Sequence, residues 1–133
     1  MDTTIDSSVL RYIAVALGGS LGALARYATV LIAQRLCINS LPIGTLLVNV
    51  SGSFVIGLFF RFLMDRTSNL EYVHLFFVVG FLGGYTTFSS YAWETFVLYE
   101  TQSWLSALIN IIMNNTLAIA AVACGMWVAS IVF

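Results

Sequence analysis

Four apolar stretches, each long enough to cross a bilayer, follow one another along this chain with only short polar joints between them. They run at about Leu10 to Ile32, Gly44 to Met64, Val73 to Tyr99 and Trp104 to Phe133. A membrane-crossing helix needs about 20 predominantly apolar residues, so the four spans take up nearly all of the 133 residues. The joints, Ala33 to Ile43, Asp65 to Tyr72 and Glu100 to Ser103, leave no room for an extramembrane domain. Residues 1–133 therefore read as a single four-helix transmembrane domain in an all-α, multi-pass integral membrane protein.

Composition excludes the main competitors. The chain is 60% hydrophobic and only 8% charged, with a mean hydropathy of +0.97, whereas a soluble domain carries about 25% charged residues. A membrane β-barrel would show alternating polarity over segments of about ten residues, and these runs are continuous instead. The N-terminal tail lacks the basic start and small-residue cleavage site of a signal peptide, so the first span is expected to stay in the protein. With a net charge of -1 and no lysine, there is no basic patch for nucleic acid. No glycine-rich phosphate cradle announces a nucleotide, and no nucleophile has a base beside it, so the chain is not expected to be an enzyme. Cys37 and Cys124 make neither a metal spacing nor an obvious disulfide pattern.

Within the third span, Gly80 to Glu94 reads GFLGGYTTFSSYAWE, three glycines and a run of hydroxyls in an otherwise apolar segment. Such a segment predicts a helix that breaks inside the membrane. Open N–H and C=O groups in hydrocarbon cost several kcal/mol each, so irregular backbone there survives only against protein, an ion or a water-filled path. The carbonyls freed where the first half-helix ends, at Gly83 and Gly84, point to a bound cation.

Polar residues elsewhere are arranged in stripes. Thr45, Asn49 and Ser53 recur every four residues on the second span, and Ser103, Ser106, Asn110 and Asn114 share a face of the fourth. Thr87, Tyr91 and Glu94 or Thr95 form a third stripe. Two readings fit: interhelical hydrogen bonding, worth about 0.6 to 2 kcal/mol per bond in membranes, or a polar pathway. The central parts of the spans hold no Asp, Glu or His, and proton-coupled transport usually needs a central titrating group. A pathway here is expected to be passive. Amides, hydroxyls, the positive rims of aromatic rings and the start of a half-helix are all ligands for anions.

Four helices make a thin bundle, so an oligomer is expected. Gly18 and Gly22, Gly19 and Ala23, Ser53 and Gly57, and Gly80 and Gly84 are four apart, a spacing that lets backbones approach closely either within a subunit or between subunits. The charge bias is slight: Arg11, Arg61 and Arg66 fall on one side of the membrane, against Arg35 and Arg26 on the other. The positive-inside rule then favours a cytoplasmic N-terminus by only one or two charges, weak enough to allow insertion both ways.

GGSLGALARY at Gly18 to Tyr27, GTLLVNVSGSFVIG at Gly44 to Gly57 and GFLGGYTTFSSYAWE together resemble the small fluoride channels of the Fluc (CrcB) family, over the whole chain and in the same order. The resemblance implies a fluoride-selective passive channel that exports fluoride across the cell membrane. It also implies a homodimer of two subunits inserted in opposite orientations, with two ion pathways. A structural sodium ion at the dimer centre would be held by backbone carbonyls at Gly83 and Thr86. Pathway residues carried over are Asn49, Phe88, Tyr91, Thr87, Ser89, Asn110 and Asn114, with Tyr91 standing where many relatives have a second phenylalanine. Glu94 resembles a vestibule residue, and Arg26 matches the basic residue of the first signature.

Two alternatives come from other classes. A small multidrug-type four-helix exporter is similar in size but depends on a glutamate within its first helix, and no acid lies between Arg11 and Ile32. A non-transporting scaffold subunit would use the polar stripes only as interfaces.

Overall fold

The computed structural model describes residues 7–36, 41–64 and 70–132. Every regular element among them is helical, and four spans are long and apolar enough to cross a membrane. Cys37, Arg66 and Phe133, on which part of the sequence reading falls, lie outside the described residues.

Helix α1 runs Ser7–Leu36 and helix α2 runs Ile43–Met64. The third span is composite. It starts as α3, Glu71–His74, widens into a π-helical stretch, Leu75–Leu82, and returns to α-helix in the short α4, Gly83–Tyr85. Thr86 and Thr87 are extended, and the chain is helical again in α5, Phe88–Thr101. Helix α6, Trp104–Val132, returns across the bundle.

The restart at α5 has a local cause. Thr87 takes the N-cap position and its hydroxyl accepts the Ser90 N–H at 3.2 Å, satisfying one of the donors that a helix start leaves open. Helix α6 starts the same way, with Ser103 Oγ accepting the Ser106 N–H at 3.2 Å. The first two members of the polar stripe on the fourth span are therefore occupied in capping.

Packing pairs the spans. Helix α1 lies along the π-helical stretch and α4, while α2 lies along α6 and α5 leans on α6. Glycines set the first of these contacts: a methyl group at Gly18 would strike the Phe76 carbonyl, and one at Gly22 would strike the Phe81 carbonyl. Gly80 and Gly84 meet the α1 backbone around Gly18 and Gly19 in return. Gly57 and Gly125 play the same part between α2 and α6. So both the Gly18/Gly22 and the Gly80/Gly84 pairs serve packing within one chain.

Gly83 opens α4 and Gly84 lies inside it, so helical geometry continues through both glycines and the extended residues are Thr86 and Thr87. Phe77, Phe81 and Tyr85 follow one another along this stretch, the first pair tilted with centroids 5.7 Å apart and the second stacked at 6.0 Å. The Tyr85 hydroxyl lies within hydrogen-bond distance of Thr29 on α1 (3.3 Å) and Ser51 on α2 (3.0 Å). The end of α4 is thereby tied to both neighbouring helices.

Candidate functional site

The interruption at Thr86 and Thr87 leaves backbone groups to be satisfied, and a side chain from another span does this. Asn49 on α2 accepts the Thr87 N–H on Oδ1 at 2.9 Å and donates Nδ2 to the Thr87 carbonyl at 3.1 Å. An uninterrupted helix would have given the Thr87 N–H to the Gly83 carbonyl. Likewise the Ser90 N–H, which would have gone to Thr86, is held by the Thr87 hydroxyl. The carbonyls of Gly83 and Thr86 are thus both released from their ordinary helical donors. Arg26 Nη1 lies 3.4 Å from the Thr86 oxygen, a long contact to one of that oxygen's two lone pairs.

From Asn49 the polar contacts continue as a ladder. Its Nδ2 also donates to Asn114 Oδ1 at 3.2 Å. Asn114 Nδ2 donates to the side-chain oxygen of Asn110 at 3.0 Å, Asn110 Nδ2 to Thr95 Oγ1 at 2.8 Å, and the Thr95 hydroxyl to the Tyr91 carbonyl at 2.7 Å. The ladder leaves the α5 backbone at Thr87 and rejoins it at Tyr91. Asn110 and Asn114 are each only 4% exposed, so burial of these amides is matched by partners.

A groove of about 380 Å³ opens beside this ladder. Asn49, Thr87, Phe88, Tyr91 and Asn114 all line it, as do Gly83 and Thr86. The Phe88 and Tyr91 rings meet edge to face with centroids 5.5 Å apart. Tyr91 is buried, but Phe88 is 77% exposed, so the groove is open on the Phe88 side. Ser89 is exposed and within 3.3 Å of the Thr87 hydroxyl, outside the groove lining. Asn110 also lies outside the lining, one rung deeper in the ladder.

The Tyr91 hydroxyl accepts Asn115 Nδ2 at 3.0 Å, and Asn115 lines the same groove. Asn115 was not singled out by the sequence pattern, because it stands one residue off the α6 stripe. Tyr85 was missed for a similar reason, since its partners Thr29 and Ser51 lie on two other spans.

A second cavity, of about 460 Å³, lies toward the other end of α5 and is lined in part by Thr45, Trp93, Glu94, Leu98 and Gln102. Thr45 donates to Glu94 Oε1 at 2.7 Å, while Glu94 Oε2 is buried with no hydrogen-bond partner among the described residues. At the opposite end of the third span, Arg11 and Glu71 form a half-exposed ion pair at 2.8 Å. Among the described residues there is no group of three or more His, Cys, Asp or Glu that could hold a metal ion.

Comparison with known proteins covers most of the chain. Residues 13–126 match the family described as CrcB-like protein, Camphor Resistance (CrcB). The chain is 44% identical over 124 residues to a protein of Legionella pneumophila (strain Lens) named fluoride-specific ion channel FluC, covering 93% of this chain and 92% of the relative. It is 43% identical over 120 residues to a protein of that name from Solibacter usitatus, covering 90% and 98%. A Coxiella burnetii (strain Dugway 5J108-111) protein of the same name is 38% identical over 117 residues, covering 87% and 91%.

Proposed function

The chain belongs to the CrcB family, and on that premise we propose that it is a fluoride-selective passive ion channel that carries fluoride out of the cell. The observation that carries the reading is the groove lined by Asn49, Thr87, Phe88, Tyr91 and Asn114 beside an interrupted helix. It offers a small anion uncharged ligands only. The rims of the Phe88 and Tyr91 rings are electropositive, and the start of α5 presents N–H groups and partial positive charge.

Fluoride is small and strongly hydrated, so its water must be replaced by many donors at once. The ladder amides already donate to protein oxygens, so an ion enters by exchanging with one rung rather than by filling a vacant site. Neutral ligands then let it leave, as conduction requires. No energy coupling is needed, because a negative interior drives an anion outward by about 2.3 kcal/mol per 100 mV.

Completion of the groove calls for a second copy. A subunit of the same sequence, inserted in the opposite orientation, covers the exposed Phe88 face and shields the Asn115 amide from lipid. Such a dimer has two pathways and is formed in the cell membrane. A two-fold axis near Thr86 turns the Gly83 and Thr86 carbonyls of one chain into four oxygens. That set suits sodium, a hard cation that takes oxygen ligands, and its role is to hold the interrupted helices of two subunits together. The fit is supported by the release of these two carbonyls from their helical donors. Arg26 occupies only one lone pair of Thr86, at a long distance.

The glutamate on which a small multidrug-type exporter depends has no counterpart in α1, and a scaffold has no use for an open groove at an interrupted helix. The test is growth: a bacterial strain lacking fluoride export and expressing this chain should tolerate external fluoride that arrests the parent. Unchanged sensitivity, with the protein present in the membrane, contradicts the reading.

A further inference from the structure

We propose that Asn49 is a positioning residue for the cation cage, and so links that cage to the anion groove. The inference rests on the sodium reading given above, and deepens it by naming what keeps one of the ligands free.

The argument starts from hydrogen-bond accounting. A backbone N–H buried in a membrane protein must be given to some acceptor. At Thr87 two acceptors compete: the Gly83 carbonyl, four residues back on the same strand of helix, and the Asn49 side chain from α2. Asn49 holds it, at 2.9 Å. Its Nδ2 clasps the Thr87 carbonyl from the other side at 3.1 Å, so the side chain brackets the whole residue.

Removal of Asn49 would return the Thr87 N–H to Gly83, lengthen the first half-helix, and occupy the carbonyl that a cation needs. Asn49 therefore acts on the cation without touching it. The same Nδ2 also donates to Asn114 in the groove. An ion that exchanges with that bond, and a cation that needs the bracket intact, are coupled through one amide.

The acceptor and donor arms of Asn49 can be separated by substitution. Asn49→Asp keeps an oxygen for the Thr87 N–H, whereas Asn49→Ala removes both arms. Asn49→Leu matches the length of the native side chain without any hydrogen bond and serves if the alanine variant does not fold.

The experiment is the thermal unfolding of purified, folded protein, with sodium replaced mole for mole by N-methylglucamine. A cation bound only by the folded state raises the unfolding temperature in a saturable way. Wild type should show such a rise. Loss of one buried hydrogen bond corresponds to about a tenfold shift in an equilibrium, so the sodium midpoint of Asn49→Ala or Asn49→Leu should rise by at least about tenfold. Asn49→Asp should stay within about threefold of wild type. An unmoved midpoint in the alanine or leucine variant, or a shift in Asn49→Asp as large as theirs, overturns the inference while leaving the sodium reading in place. No sodium dependence in wild type overturns the sodium reading itself.

Discussion

Asn49 on α2 holds both backbone groups of Thr87, accepting its N–H at 2.9 Å and donating to its carbonyl at 3.1 Å. A residue 38 positions away thus supplies the hydrogen bonds that the helix at Thr87 does not make. The same side chain reaches Asn114, so the interruption and the groove share one amide.

Asn49→Asp is expected to abolish or sharply reduce fluoride flux. An ionised aspartate keeps the acceptor for Thr87 but places a negative charge where an anion must pass and removes the donor to Asn114. Flux from liposomes, measured on protein shown to be folded and dimeric, should fall by at least about a hundredfold, since removing one preorganised donor to an anion costs about 2.7 to 4 kcal/mol. Flux equal to wild type would remove Asn49 from the pathway.

Phe88 and Tyr91 are expected to behave differently when their ring edges and polar groups are tested apart. Phe88→Ile deletes the aromatic rim and should sharply reduce flux. Tyr91→Phe keeps the rim and deletes a hydroxyl that is engaged with Asn115, 3.0 Å away. Its flux should remain within about threefold of wild type, as a single hydroxyl bond is worth about 1 kcal/mol or less in this setting. Loss of flux in Tyr91→Phe would assign the hydroxyl, not the ring, to the ion.

Helix packing makes a paired prediction at neighbouring glycines. A methyl at Gly22 would collide with the Phe81 carbonyl, whereas one at Gly19 meets its nearest atom, the Gly80 oxygen, at an ordinary 3.8 Å. Gly22→Ala should therefore destabilise the protein by about 1 to 3 kcal/mol, and Gly19→Ala by no more than about 0.5 kcal/mol. Unfolding curves in detergent decide between this order and its reverse.

The spans were legible because hydrocarbon imposes a length and a composition on any helix that crosses it. The disturbance in the third span was also signalled, by GFLGGYTTFSSYAWE, but the glycines do a different job from the one their type suggests. Gly80 and Gly84 admit α1, and helical geometry persists to Tyr85. The extended residues are threonines, held so by a cap at Thr87 and by Asn49. Periodicity could put Asn49, Asn110 and Asn114 on helix faces, but it could not join them. The Asn49 and Asn114 contact spans 65 positions and depends on how α2 lies against α6. Ser103 and Ser106 share the same stripe for a local reason, the start of α6.

Gly83 offers a test of the second copy. It is exposed in the single chain, and a methyl there has room, its nearest neighbour being the Val78 oxygen at 3.8 Å. Gly83→Ala should leave the subunit fold intact yet weaken the dimer, because the partner is expected to approach at this point. The ratio of dimer to monomer in detergent or lipid reads the effect. A variant as dimeric as wild type would move the subunit contact elsewhere.

The central claim is that this chain alone forms a fluoride-selective passive pathway. It is tested most directly by efflux from liposomes holding only the purified protein, with a potassium ionophore fixing the voltage and separate electrodes reading fluoride and chloride. The account predicts fast fluoride release that follows the imposed voltage, with negligible chloride release. Equal release of both ions, or none of either from folded dimeric protein, would contradict it.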